Sequence, residues 1–432
     1  MIEDEIYRKS SQYRLWSFTS ESLQSLRVTT NALASDRVRA AQRRAREAQQ
    51  AANSSTSTPN PSDTDSKAAE EKTVDCLTPE EEQDLVRYYC EQTVELGERY
   101  RPPLPTIVRS TAIQYLRRFY LTNSPMAYAP KTIMACALFV ATKTENYYLS
   151  LRQFAEGLPD ITGDEVIAPE FLLMQGLRFT FDVRHPFRGL EGGIMELQAI
   201  SQGMGQPAPH IPNQTSEDLR QGLLALPPPP SSSSSNLSIH DRLGRAHTKT
   251  RETLKTSAQM TDAYFLYTPS QIWLAAFLLA DKPLAEFYLE TKLGRTEEGH
   301  PLHELRMKIL HTVSECSALL SSYKPSASDP EQMKKLKRIA KKRHHCENPE
   351  KAGLAGKKRV PAAAAAVGTP GISGTGEGTS ESDVERLAKR RKVEEGGSGS
   401  EMLVDRSRED KPQDQTDQQQ QVPAEQAEGA AG

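Results

Sequence analysis

One internal repeat restricts the fold of this chain more than any other feature. YAPKTIMACALFVATK, from Tyr128 to Lys143, aligns without gaps with YTPSQIWLAAFLLADK, from Tyr267 to Lys282, 139 residues further on. Six positions are identical: Tyr128/Tyr267, Pro130/Pro269, Ile133/Ile272, Ala137/Ala276, Ala141/Ala280 and Lys143/Lys282. Each copy opens with proline, which is tolerated in the first turn of a helix because no N–H is needed there. Each is then apolar around its whole circumference, so it must be buried on every side and not along a single stripe. Small residues four apart let neighbouring helices come close. Two such helices predict two small bundles of one design, each wrapped around a central helix.

The surrounding sequence predicts the other helices of the first bundle. TPEE at Thr78 to Glu81 is a start signal: a threonine cap, proline at the first helical position, and Glu81 placed to reach back to the amide of the cap. That helix is expected to run to about Tyr100. A second covers roughly Pro105 to Leu121, with Ile107, Ala112, Tyr115, Leu116 and Phe119 at helical spacings. Pro130 opens the buried third, and a short fourth lies near Leu151 to Glu156. A fifth carries EFLLMQGLRF from Glu170 to Phe179. Inside a helix Pro169 would remove a bond to the carbonyl of Glu165, whereas in a first turn it is tolerated, so the fifth helix is expected to start near Glu165 to Ala168. No alternating strand pattern occurs, and the fold class is all-α.

A hydrophobic content of 37% and an aromatic content of 6% are too lean for 432 residues to pack throughout. The lean segments are 49–75, 202–237 (with PPPPSSSSSN) and 346–432, rich in Ser, Pro, Gly, Gln and charge. Such composition buries too little surface to offset chain entropy of about 1–2 kcal/mol per residue, so all three are expected to be disordered. Deleting 205–235 is then expected to leave the melting temperature nearly unaltered. The division that follows is an arm at 1–48, a linker at 49–75, a first repeat at 76–201, an insert at 202–237, a second repeat with a terminal helix at 238–345, and a tail at 346–432.

Several function classes are disfavoured. Cys76, Cys90, Cys136, Cys316 and Cys346 are scattered with no CxxC pair, so neither a disulfide framework nor a zinc ribbon is indicated. No apolar run reaches the roughly 18 residues of a membrane span, and MIEDEIYRKS is not a signal peptide. These features predict a soluble, intracellular protein with no membrane partner. A net charge of -3 argues against a chain-wide nucleic-acid surface. GTGEGT at Gly374 to Thr379 imitates a phosphate loop but follows no strand and opens no helix. His344, His345 and Cys346 lack a second ligand set. No catalytic motif, metal site or cofactor is expected.

The tandem design resembles the cyclin fold, with two five-helix domains and extra terminal helices. Four ordered stretches are similar to the cyclin H family: SSQYRLWSFTSESLQSLR at Ser10 to Arg27, YLRRFYLTNSPMAYAPKTIMACALFVATKTEN at Tyr115 to Asn146, RHPFRGLEGGIMEL at Arg184 to Leu197, and MTDAYFLYTPSQIWLAAFLLA at Met260 to Ala280. The long inserts depart from the compact family pattern and look like a fungal elaboration. The resemblance implies a regulatory subunit, not an enzyme, that binds and activates a cyclin-dependent kinase of the CDK-activating and transcription factor IIH type. It implies further partners, a RING-finger assembly factor and the transcription factor IIH core. Through the kinase it implies phosphorylation of other cyclin-dependent kinases and of the RNA polymerase II C-terminal repeat. Rival readings are another transcriptional cyclin, of the C or K/T type, or a TFIIB-like nucleic-acid-binding factor; the last would carry a zinc ribbon.

By the same resemblance Lys143 and Glu170 form a pair at the kinase interface, hydrogen-bonding backbone beside the mobile C-helix of the kinase. Val140, Met174 and Phe181 match its apolar groove, and Thr144 and Glu145 adjoin it. Lysine at a helix C-terminus is by itself a common solvated cap, and Glu145 reads equally as interface or solvated. Lys282, in the matching place of the second repeat, has Leu284 where Glu145 stands and is assigned a structural role. Trp16, Phe18, Leu23 and Leu26 are implied docking residues of the arm. Arg37, Arg39, Arg43, Arg44 and Arg46 fit a solvated face better than a nucleic-acid contact, and no direct nucleic acid is expected. KKLKRIAKKRHH at Lys334 to His345 reads as a terminal docking helix in preference to a basic address. KRRKV, with Lys389, Arg390, Arg391 and Lys392, reads as a nuclear localisation signal, which places the protein in the nucleus.

Overall fold

The computed structural model describes residues 2–54, 74–158, 161–211, 213–228, 238–294 and 301–347, and among these every regular element is a helix. An N-terminal arm comprises α1 (Ile2–Lys9), α2 (Ser11–Trp16) and the long α3 (Ser20–Ser54). The first repeat begins at α4 (Pro79–Arg99). There Thr78 Oγ1 accepts the Glu81 N–H and Glu81 Oε2 accepts the Thr78 N–H at 2.9 Å, satisfying two donors that an uncapped helix end would leave orphaned.

Next come α5 (Thr106–Thr122) and α6 (Pro130–Thr144). As its all-round apolar sequence requires, α6 is buried at Pro130 and at every position from Ile133 to Thr142. It is enclosed by α4, α5, and the short α7 (Leu151–Glu156), α8 (Gly163–Ile167) and α9 (Glu170–Gly176). In the second repeat α10 (Phe187–Ser201) and α11 (Ser216–Leu224) precede α12 (Ile239–Lys255), followed by α13 (Ser257–Met260) and α14 (Ala263–Leu266). The repeated central helix is α15 (Pro269–Ala280), flanked by α16 (Lys282–Leu293) and α17 (Pro301–Ser321). A terminal α18 (Pro330–Glu347) closes the described chain.

A buried polar seam joins the repeats. Arg117 of α5 donates to the carbonyls of Gln259 and Met260 and pairs with Asp262 at 2.6 Å, and Asp262 also receives both terminal nitrogens of Arg27 from the arm. Burial alone would raise the Asp262 carboxyl, but the two guanidiniums outweigh it and hold it below the usual carboxylate range. Beside this run Gln114, Gln259, Tyr264, His185, Thr111 and Glu145, each within 2.9 Å of the next. Because the Thr111 hydroxyl donates to Glu145, it accepts from His185 Nε2–H, and His185 Nδ1 accepts from Tyr264.

Five expectations require correction, the smallest being the tail expected from 346, where α18 continues to Glu347 with Cys346 buried. The insert expected at 202–237 contains α11: Thr215 and Asp218 form a reciprocal cap, and Leu219 and Leu223 are 2% and 1% exposed. Two well-placed leucines anchor a helix that average composition conceals. In the linker expected at 49–75, α3 continues to Ser54, and Val74 is buried with its N–H on Gln42 Oε1. The first repeat was expected to reach 201, but α10 packs on α12 and α15. A Cβ at Gly189 or Gly193 would lie 2.5 or 2.6 Å from the Trp273 ring, a closeness only glycine permits. The fifth helix does not start at Glu165–Ala168 and run to Phe179; α8 ends at Ile167, and α9 spans only Glu170–Gly176. Pro169 has no N–H to carry α8 onward, so its carbonyl begins a new helix, accepting from Leu173 at 2.8 Å.

Candidate functional site

The break at Pro169 sets the geometry of the pair foreseen in the sequence. Glu170 is the first residue of α9, where a carboxylate is favoured by the helix dipole, and Lys143 lies in the last turn of α6, where a cation is favoured. Their side chains meet: Lys143 Nζ donates to Glu170 Oε1 at 2.5 Å and sits 4.4 Å above the Phe139 ring. The lysine side chain is 43% exposed and the glutamate 16%. An ion pair this open contributes only about 0.5 kcal/mol to folding, so stability alone gives little reason for it.

The neighbouring positions divide. Val140 is 3% exposed and belongs to the core of the first repeat, so it does not line a surface groove. Thr144 Oγ1 contacts the Val140 and Ala141 carbonyls and lies 2.9 Å from the Tyr115 hydroxyl. Glu145 ends the seam network, accepting from Thr111 at 2.6 Å. Both are half-buried and bonded within the chain, so Glu145 is not simply solvated. Met174 and Phe181 are half-buried, with Phe181 edge-on to Tyr115 at 6.2 Å.

The exposed apolar surface near the pair comes from residues that sequence reasoning missed. Phe171, next to Glu170, is 62% exposed, and Phe179 is 57% exposed with its ring 6.3 Å from that of Phe171. Arg178 and Phe179 both adopt φ of 53°, a left-handed turn that carries Phe179 outward and costs non-glycine residues energy. The signal was present: EFLLMQGLRF has more large apolar residues than one buried face of so short a helix can use.

The arm secures this turn. Trp16 is 1% exposed, has the guanidiniums of Arg118 and Arg178 each 5.2 Å from its ring, and donates from Nε1 to Thr180 Oγ1 at 3.0 Å. Leu23 is buried with it, Phe18 and Leu26 pack alongside, and the Phe18 N–H donates to the Phe265 carbonyl. These four residues dock the arm onto its own chain. Lys282 starts α16 and reaches Glu286 at 3.6 Å, while Asp281 takes the buried pairing role with Arg242 at 2.8 Å. KKLKRIAKKRHH lies within α18, where Leu336 and Ile339 are buried and Lys335 and Lys342 pair with Asp84 and Glu81. No group of His, Cys, Asp and Glu among the described residues is arranged to hold a metal, and no described helix is long and apolar enough to cross a membrane. GTGEGT and Lys389, Arg390, Arg391 and Lys392 lie outside the described residues.

Two tandem helical repeats, each built round a buried proline-started helix, define a protein of the cyclin-fold class. Residues 185–321 match the cyclin C-terminal domain family. The chain is 33% identical over 295 residues to cyclin CCL1 of Saccharomyces cerevisiae, covering 68% of this chain and 63% of that one. It is 36% identical over 194 residues to cyclin mcs2 of Schizosaccharomyces pombe, covering 45% and 55% respectively. Each alignment therefore spans less than two thirds of the length of the yeast relative. A chain in the structure of the CAK complex of Chaetomium thermophilum bound to ATP-γ-S is 30% identical, with a TM-score of 0.58, all of that chain and 85% of this one being covered. The chain belongs to the cyclin H family.

Proposed function

We propose that this chain is a regulatory cyclin that binds and activates a cyclin-dependent kinase of the CDK-activating and transcription factor IIH type, supporting phosphorylation of the RNA polymerase II C-terminal repeat. The observation that carries the reading is the Lys143–Glu170 pair: two oppositely charged groups joined across two helix ends at the surface, the lysine open to solvent and the glutamate partly covered, and of little use to the fold. The Lys143 ammonium has two further donors for backbone carbonyls of the kinase, and the Glu170 carboxylate has further lone pairs for backbone N–H groups. Phe171, Phe179 and Met174 supply the apolar contact, about 1.5–3 kcal/mol for each large side chain that becomes fully buried.

The mechanism is a population shift. A kinase helix held inward carries the glutamate that pairs with the phosphate-binding lysine, and a cyclin that binds this position more tightly than the outward one shifts the equilibrium by that difference. The chain has no active site of its own; the kinase supplies the chemistry. In this reading the first repeat engages the kinase, while a RING-finger assembly factor and the transcription factor IIH core complete the assembly, in the nucleus. Lys389 to Lys392 provide the import signal.

Tagged purification from cells, with identification of the co-purifying proteins, tests the partner. Lys143→Ala combined with Glu170→Ala is expected to lose the kinase from that purification while the helical circular-dichroism signal and melting temperature stay close to those of the parent. Retention of the kinase by the doubly substituted protein would refute the site.

A further inference from the structure

Among the five cysteines, Cys90, Cys136 and Cys316 are packed in the main core, and burial pushes each thiol up to about 12, leaving them inert near neutral pH. Cys76 and Cys346 are arranged differently. Cys76 is half-buried two residues before the cap of α4, and Cys346 is buried in the last turn of α18, 270 residues along the chain. Cys76 packs against the small apolar cluster that contains Cys346. Cys346 Sγ also lies 3.8 Å from the Asp75 carbonyl, adjacent to Cys76, and Cys76 Sγ lies 3.9 Å from the Ser35 carbonyl of α3. Both belong to the cluster in which Ala34, Val38, Leu77 and Ile339 hold the arm, α4 and α18 together.

We propose that Cys76 and Cys346 form a redox modification site, in which hydrogen peroxide converts the two thiols into a disulfide that ties α18 to the start of the first repeat. The pair divides the roles. The neighbouring Cys346, with Ser35 and Arg39, outweighs burial and lowers the Cys76 thiol to about 6, whereas Cys346 is raised by Cys76 and by burial and keeps its proton. Cys76 thiolate attacks one peroxide oxygen, the O–O bond breaks, and the departing oxygen leaves as water after protonation, giving Cys76 sulfenic acid. Cys346 sulfur then attacks the Cys76 sulfur, its proton leaves with the sulfenic oxygen, and a second water departs. Two thiols and one peroxide thus yield one disulfide and two waters. The chain is already arranged for this step, since Cys346 Sγ lies 3.8 Å from the carbonyl of the residue preceding Cys76, and both cysteines share one cluster.

The test uses the full chain, reduced, freed of reductant, treated with a small molar excess of hydrogen peroxide, and digested without reductant. A cross-linked peptide joining residues 76 and 346, an intact mass lower by about 2 Da, and reversal by dithiothreitol are expected. Slower amide exchange along α18 in the oxidised protein is expected too. Cys346→Ser should stop at a dimedone-reactive sulfenic acid on Cys76, and Cys76→Ser should leave Cys346 unmodified at the same dose. Oxidation spread evenly over the five cysteines, or irreversible Cys76 oxidation without the cross-link in the parent protein, overturns the proposal.

Discussion

Lys143 and Glu82 are ionisable groups in opposite surroundings. Lys143 sits at the rim of the first repeat, and losing it costs the fold little. Glu82 of α4 is 8% exposed, with its carboxylate accepting from Ser124. Burial pushes its carboxyl up to about 7, despite the hydrogen bonds from Ser124 and Asn31 that oppose the rise. The folded state therefore holds a proton that the unfolded chain releases near its ordinary value of 4.5. Stability contributed by this proton is present below that value and lost as pH rises through about 7. Glu82→Gln keeps the shape and an acceptor for Ser124 while removing the charge. The variant should be more stable than the parent by about 2 kcal/mol at pH 8, and nearly equal to it at pH 5; melting curves at the two pH values decide it. Equal melting at pH 8 would mean that the buried carboxylate is not a liability.

At the scale of elements, α11 separates what composition can tell from what placement can tell. Thr215 caps it, and Leu219 and Leu223 pin it against α10 and α16, with Gly222 letting the Phe287 ring approach. Leu223→Ala should cost about 2–4 kcal/mol, and removing 205–235 should lower the melting temperature markedly; differential scanning calorimetry of both is the check. A deletion without thermal effect would restore the expectation from composition. The central helices and the cap at Thr78 were legible in the sequence because periodicity and capping are local. The N-terminal boundary of α9 was not: Pro169 permits either an early turn of a continuous helix or a clean break, and only packing of α8 and α9 against α6 decides. Likewise the pairing of Lys143 with Glu170 came from a resemblance, since nothing in their 27-residue separation brings them together. The hydrogen bonds that Thr144 and Glu145 make within the chain depend on Tyr115 and Thr111 in α5, which a reading by sequence neighbourhood cannot supply.

For the whole molecule, the arm and the seam make two repeats behave as one body. Trp16 touches Arg118 of the first repeat and the turn that presents Phe179, while Phe18 and Arg27 hold the segment between α13 and α15. Trp16→Ala should therefore destabilise the protein by about 3–5 kcal/mol and weaken kinase capture, a combination that Lys143→Ala does not produce. The seam adds a pH response. His185, with one nitrogen on Thr111 and the other on Tyr264, is driven down to about 3 by burial and secondarily by Arg118, so it stays neutral when folded. Its contribution to stability is complete above the ordinary imidazole value of 6.5 and is lost as pH falls towards 3, because only the unfolded chain gains the proton there. Between 4.5 and 6.5 the Glu82 carboxyl works in the other direction and offsets part of that loss. The parent protein should accordingly show a shallow stability profile in that window and a steep fall only below it. In Glu82→Gln the fall should begin near 6.5, and adding His185→Gln should flatten it again; chemical denaturation across this range reads both slopes. If Glu82→Gln leaves the acid limb unchanged, the seam histidine does not govern the acid sensitivity of the two joined repeats.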